Sequence, residues 1–358
     1  MPSVTKEQVL EALRRVNDPE LHRDLVSLNM IKNVAVCDGL VRVHVELTTP
    51  ACPLKDQIGK DVHREVGGVV GVKQVEIEWS SQVRAHAALQ VHLPGVKNVI
   101  AIGAGKGGVG KSTIAVMVAY GLERMGARVG LLDADVYGPS IPKMVGLEGA
   151  RPNVRGEKIV PIDADGVRVM STGLLVNSEE ALVLRGPMLA GILKQFLGQV
   201  DWGELDYLIV DLPPGTGDIP LTLAQSIPMT GAVVVCTPQQ VALLDALKAL
   251  RMYQKLNVPI LGIVENMSYF IAPDTGREYD WFGRGGAAAA AEKVGVPFLG
   301  EIPINIAIRV SGDAGAPEDL FTRTDERSRA AVESFVRNVA GQVSIRNAQE
   351  PTVELTIS

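Results

Sequence analysis

Gly105 to Ser112 reads G-K-G-G-V-G-K-S and fits the spacing G-x-x-x-x-G-K-[ST]. That spacing serves phosphate binding. Small residues let backbone N–H groups curl around phosphate oxygens at a helix start, Lys111 supplies a cation, and the Ser112 hydroxyl reaches Mg2+. Gly105, Gly107, Gly108, Val109, Gly110 and Thr113 complete the expected cradle. Lys106 is an addition, because an ordinary phosphate loop needs no second cation five residues before the first. Three carboxylates are placed to work beside it. Asp133 and Asp135 follow the apolar run Val129 to Leu132, and Asp211 follows Tyr207 to Val210. Ligands of open α/β sheets bind at such strand ends, and an aspartate there is the expected Mg2+-side acid of a phosphate-loop enzyme. In Leu212 to Asp218, L-P-P-G-T-G-D, a glycine backbone N–H is expected to sense the terminal phosphate.

Thiol chemistry is the second candidate. Cys52 lies in T-T-P-A-C-P (Thr48 to Pro53), a strand-to-helix corner where a helix N-terminus is expected to favour the thiolate that binds metal or attacks electrophiles. Cys37 lies at a strand end beside Asp38-Gly39, and Cys236 within V-V-V-C-T-P reads as core. Three cysteines with no close pair provide neither a disulfide framework nor a full metal site from one chain. His22, His44, His63, His86 and His92 lack metal-ligand spacing and read as surface or packing residues.

The elements that must position these groups fall into two sets. A capping box at Thr5 to Gln8 opens a helix over about 6–16; strands at 33–37 and 40–47 flank the Asp38-Gly39 turn. Leu54, Ile58, Val62 and Val66 mark a helix face, and Val75, Ile77 and Trp79 alternate as a strand. Residues 1–80 thus form a small α/β domain, 81–96 with Pro94-Gly95 a linker, 97–345 the phosphate-loop domain and 346–358 a tail. In the large domain apolar strands alternate with helices, predicting a doubly wound, mostly parallel sheet. Its helix over 241–256 is expected to carry Leu244, Leu247 and Met252 on its apolar face, and Val353, Leu355 and Ile357 to alternate as a short last strand.

At 358 residues, 46% of them hydrophobic, the chain can bury a sizeable core, and a net charge of -6 offers no basic field for nucleic acid. No apolar run reaches membrane-spanning length and the charged N-terminus is no signal peptide, so no membrane partner and a cytoplasmic location are expected.

With its early lysine, K-G-G-V-G-K-S-T resembles the MinD/ParA class of ATPases, in which that lysine crosses to a partner subunit's phosphates. The resemblance implies a nucleotide-sandwich homodimer using ATP and Mg2+. It also implies that Asp133 supports the Mg2+ water shell, Asp135 orients the attacking water, and Asn266 with the backbone near Ile302 to Ile304 holds adenine. No N-K-x-D follows the strand before Asn266, so the guanine signal is absent.

Arg185-Gly186-Pro187, D-L-P-P-G-T-G-D, P-Q-x-V-A-L from Pro238, V-E-N-M-S, F-G-x-G-G from Phe282 and Ile302-Pro303 together resemble the Mrp-type iron-sulfur cluster carriers. Asp18-Pro19-Glu20 and T-x-P-x-C-P resemble the small PaaD-like and SufT-like metal-sulfur assembly domain. These resemblances imply an ATPase that loads clusters and passes them to apoprotein clients, with scaffold proteins as further partners. Such carriers commonly hold C-x-x-C shortly after N-M-S, but here Ile271 to Gly276 place Ala272 and Thr275 at those positions. Thr275 is a poor substitute for a soft thiolate, which leaves Cys52 as the leading cluster ligand. A regulatory ATPase without a cluster, or a non-enzymatic adaptor held dimeric by ATP, are the rival readings.

Overall fold

A computed structural model describes residues 4–86, 89, 93–175, 191, 198–217, 221 and 228–349. The expected strand at Val353 to Ile357, the Arg185-Gly186-Pro187 motif, His92 and Asp218 lie outside them. The chain divides into two compact units, Met1–Arg84 with Ser344–Ser358, and Ala85–Val343.

In the first unit, helix α1 (Lys6–Leu13) starts at Thr5, whose hydroxyl accepts from the Gln8 N–H while Gln8 Oε1 accepts from the Thr5 N–H. It ends earlier than expected. Strands β1 (Ile31–Cys37) and β2 (Leu40–Leu47) form an antiparallel hairpin. Positive φ at both Asp38 and Gly39 matches the right-handed twist of the strands. Helix α2 (Lys55–Gly67) then crosses over, which lets β3 (Gln74–Ser81) pair with β2 in parallel. Val9, Leu13, Val41, Val43, Val45, Ile58, Val62 and Val66 fill this unit's own core.

The second unit is built on β4 (Val99–Ala104), which enters the phosphate loop and helix α3 (Lys111–Arg124). Strands β5 (Val129–Asp133), β6 (Ile162–Ala164), β7 (Val167–Ser171), β8 (Tyr207–Asp211) and β9 (Gly231–Cys236) follow. Helix α4 (Gln240–Lys255), β10 (Ile260–Ile271), β11 (Glu278–Tyr279), helix α5 (Gly286–Val294) and β12 (Phe298–Ile304) follow, and the closing helix α6 (Glu326–Gln349) belongs to this unit up to Val343. The sheet order among described residues is β6-β7-β5-β8-β4-β9-β10-β11, with β12 also on β10. Pairing is parallel except where β6 and β11 join antiparallel. Strands β4, β5, β8 and β9 are buried along their whole length, as a sheet covered on both faces requires. Gly103 lets the Tyr253 ring of α4 reach the sheet, and Gly121 admits Val336 of α6, because a Cβ at either position would collide.

Three expectations are corrected. Leu89, Leu93 and Val96 pack in the second core, so the expected linker 81–96 is largely part of that unit. Likewise 346–349 continue α6 instead of forming a tail. On α4 the inward residues include Leu243, Ala246, Leu250 and Tyr253, and Met252 is buried as expected, while Leu247 is half-buried and Leu244 is 60% exposed; the Tyr253 ring takes the space that Gly103 leaves.

Candidate functional site

Sheet register brings the acids to the loop. Asp211 stands level with Ile102 on β4 and with Asp133 on β5, so both carboxylates end up beside the residues that follow β4. The loop itself is held from behind. A Cβ on Gly105 would sit 2.0 Å from the Asp245 carbonyl oxygen, whereas Gly107 and Gly108 face open space. Gly108 and Gly110 take φ of 79° and 81°, values that glycine adopts without strain. Gly110 caps α3 without a side-chain bond and no acid stands in the first turn, where Ser112 and Thr113 lie. Open N–H groups at a positive helix end are an anion site.

Lys111 is buried and its Nζ lies 2.6 Å from Asp211 Oδ1 and 3.6 Å from Asp135. Ser112 Oγ donates to Asp211 Oδ2 at 2.6 Å. Lys106 is half-buried and makes no ion pair among the described residues. Asp133 accepts from the N–H groups of Asp135 and Ile141 and from Ser171 Oγ, so its carboxylate straps the loop that carries Asp135. Burial, followed by the nearby Asp211 charge, pushes Asp133 up to about 8, and burial also raises Asp135 and Asp211. One lysine among three such acids leaves the cluster short of positive charge. Ser112 and Asp211 are hard oxygen donors of the kind Mg2+ takes in ones and twos alongside phosphates; no closed cage of three acidic, His or Cys ligands occurs among the described residues.

Asn266 is buried and its Nδ2 donates to the Val109 carbonyl at 2.9 Å. The residue expected at adenine therefore also grips the phosphate loop, a contact that sequence reasoning missed. Of the glycines in L-P-P-G-T-G-D, Gly215 donates its N–H to the Ala104 carbonyl at 2.9 Å, which ties that turn to β4.

The other candidate, Cys52, lies in the first unit, half-buried, three residues ahead of α2. The expected thiolate is not favoured. Burial, with Glu20 and Asp18 adding repulsion, outweighs hydrogen bonds from the backbone at Leu54 and Lys55 and pushes the thiol up to about 11. Glu20 is itself raised to about 7 by burial and by Asp18, whose carboxylate accepts from the Glu20 and Leu21 N–H groups. The D-P-E signal marked Glu20 without revealing that it faces the thiol. Cys37 is exposed and Cys236 buried. Ala272 and Thr275 lie in the turn between β10 and β11, where Ala272 N–H donates to Arg277 and Gly276 N–H to Ala272.

A phosphate loop opening a helix from a central parallel strand, with acids delivered by the adjacent strand β8 and by β5 beyond it, defines a P-loop NTPase. Comparison with known proteins narrows the class. The family profile described as NUBPL iron-transfer P-loop NTPase matches residues 95–341, and the chain belongs to that family. A second profile, iron-sulfur cluster assembly protein, matches residues 6–79. The iron-sulfur cluster carrier protein of Deinococcus radiodurans is 53% identical over 350 residues, 98% of this chain and 99% of that protein. A nucleotide-binding protein of Archaeoglobus fulgidus, solved in complex with ADP, is 41% identical with a TM-score of 0.58 over 64% of this chain and 91% of its own. The Pyrococcus furiosus cell division ATPase MinD shares the fold at 23% identity, with a TM-score of 0.53 over 68% of this chain and 98% of its own. The sheet, the small α/β unit and the resemblance to Mrp-type carriers thus agree with the sequence reading.

Proposed function

We propose that this chain is an ATP-dependent iron-sulfur cluster carrier that acts as a cytoplasmic homodimer and hands clusters to apoproteins. The observation that carries the reading is the cluster of buried Lys111 and Asp211 with half-buried Ser112 at an uncapped helix start, joined in one chain to a domain matching cluster-assembly proteins. Lys111 leaves Asp211 for the phosphates, which frees Asp211 and Ser112 to hold Mg2+. When bound, Mg2+ neutralises phosphate charge and the surplus of the three acids. Asp135 orients the attacking water, Asp133 fixes Asp135 through the loop it straps, and Lys106 serves the partner's phosphates.

Cluster iron is the cargo, and Cys52 is its proposed ligand. Carboxylates that make a free thiolate costly also make a cation welcome, so Glu20 and Asp18 favour Cys52 bound to iron over Cys52 ionised alone. One such thiol per chain gives a dimer two ligands, completed by a small thiol or a client, and hence a labile cluster. Anaerobic reconstitution with iron and sulfide counts tests this: wild type loads and transfers to an apoprotein, Cys37→Ser does likewise, and Cys52→Ser does not. Undiminished loading of Cys52→Ser would remove the assignment. Ala272 and Thr275, where a cysteine pair would stand, favour the rival of a cluster-free regulatory ATPase; ATP turnover in wild type that never loads iron selects it.

A further inference from the structure

Glu265 to Ser268 are bonded on two sides. Toward the phosphate loop, Asn266 Nδ2 donates to the Val109 carbonyl, and a Cβ on Gly110 would stand 2.2 Å from the same nitrogen. The Val109 carbonyl and the Gly110 N–H belong to one planar peptide, so gripping the oxygen sets the direction of a loop donor. Away from the loop, fully buried Glu265 accepts from the N–H groups of Gly285 at 2.9 Å and Ala287 at 2.7 Å, and from Ser268 Oγ at 2.6 Å. No cation pairs with it among the described residues. Its charge is balanced by the start of α5 and a hydroxyl.

Between these anchors the strand breaks register. Asn266 pairs with Ile302 but Phe270 with Ile304, so β10 advances four residues against two of β12, and Met267 takes φ 56°. Such a conformation persists only where contacts on both sides hold it. Directly beyond it lies the β10–β11 hairpin. Arg284 sits 4.1 Å over the Tyr269 ring and pairs with Glu278 and Glu301 at 2.7 Å each, while Phe270 stacks on Trp281 at 4.8 Å.

We infer that Asn266 and Glu265 are positioning residues. Asn266 aims the Val109–Gly110 peptide at the bound phosphate, and Glu265 ties that setting through the Met267 bulge to the hairpin 269–279. Phosphate in the loop and the conformation of the hairpin are thereby linked, and by reciprocity each biases the other. The inference rests on the nucleotide reading above.

Hydrogen exchange of the full chain, with and without Mg2+ and the non-hydrolysable analogue AMPPNP, tests it. In wild type the analogue slows exchange in 105–113 and shifts it in 269–279. Asn266→Ala weakens analogue affinity about tenfold, the scale of one lost hydrogen bond, and abolishes the hairpin shift. Glu265→Gln holds affinity within about threefold yet loses the hairpin shift. If Glu265→Gln fails to fold by thermal melting, Ser268→Ala, which removes one donor to the same carboxylate, takes its place with the same expectation. Wild type that binds the analogue without any change in 269–279 overturns the coupling alone. A full hairpin response in the Glu265 or Ser268 variant does so too. Wild type that does not bind the analogue overturns the nucleotide reading and the coupling together.

Discussion

Two strand-to-helix corners in this chain share a backbone plan and differ in electrostatics. At the β4–α3 corner the capping residue Gly110 offers no side-chain bond, the first helical turn holds no acid, and a lysine stands ready. At the β2–α2 corner Leu54 likewise provides no side-chain cap, but Asp56 lies in the first turn and Glu20 and Asp18 reach in from another part of the chain. The first corner invites an anion. The second repels one and holds Cys52 protonated up to about 11. A helix N-terminus contributes only a few tenths to about 1 kcal/mol at most exposed sites, so the side chains delivered around it decide what it binds.

The largest test removes the cation from the first corner. Lys111→Ala should lower nucleotide affinity by about 100-fold, the scale of a charge-assisted phosphate contact. In equilibrium binding to monomer, Lys106→Ala should lose less than about tenfold while ATP turnover and ATP-driven pairing disappear. Equal monomer losses would show that Lys106 acts within its own chain. Next, Asp135→Ala should bind ATP and slow cleavage by about 100-fold or more, whereas Asp211→Ala should also lose the dependence on Mg2+. Normal single-turnover cleavage in a quench-flow experiment on Asp135→Ala would strike that residue from the mechanism.

At the second corner the effects are smaller. Glu20→Gln removes a charge facing the thiol, so alkylation of Cys52 by iodoacetamide at pH 8 should run about three- to tenfold faster. An unchanged rate would mean that burial alone sets the thiol. The same carboxyl makes stability depend on pH. Its pKa is raised from 4.5 to about 7 on folding, so the folded chain holds a proton that the unfolded chain has released. This contribution is complete below about pH 4.5 and is lost as pH rises through about 7. Discounted for solvent screening, it amounts to about 1 kcal/mol. Peptide-level exchange in 18–52 should show protection falling over that window in wild type, and a flatter profile in Glu20→Gln.

Much of the phosphate site was legible because its chemistry is backbone chemistry. Gly105, Gly108 and Gly110 are required by close approach or by positive φ, and such requirements leave a fixed spacing in the chain. Asp133, Asp135 and Asp211 could be marked because each follows an apolar run that had to be a buried strand. The thiol was legible as a residue but not as a state, since its pKa depends on Glu20 and Asp18, more than thirty residues away in sequence. Leu244 was misplaced because helical spacing alone does not fix which side of the helix meets the sheet, where the Tyr253 ring takes the space that Gly103 leaves.

By itself the sequence determined the two-part α/β plan, the phosphate cradle and the strands that end in acids, because periodicity and glycine placement act over a few residues. Tertiary structure alone decided which groups meet: Lys111 with Asp211 across 100 residues, Asn266 with the Val109 carbonyl across 157, and Glu20 with Cys52. Contacts between distant segments are set by strand order and register, and a pattern read along one strand or helix carries no record of its neighbours.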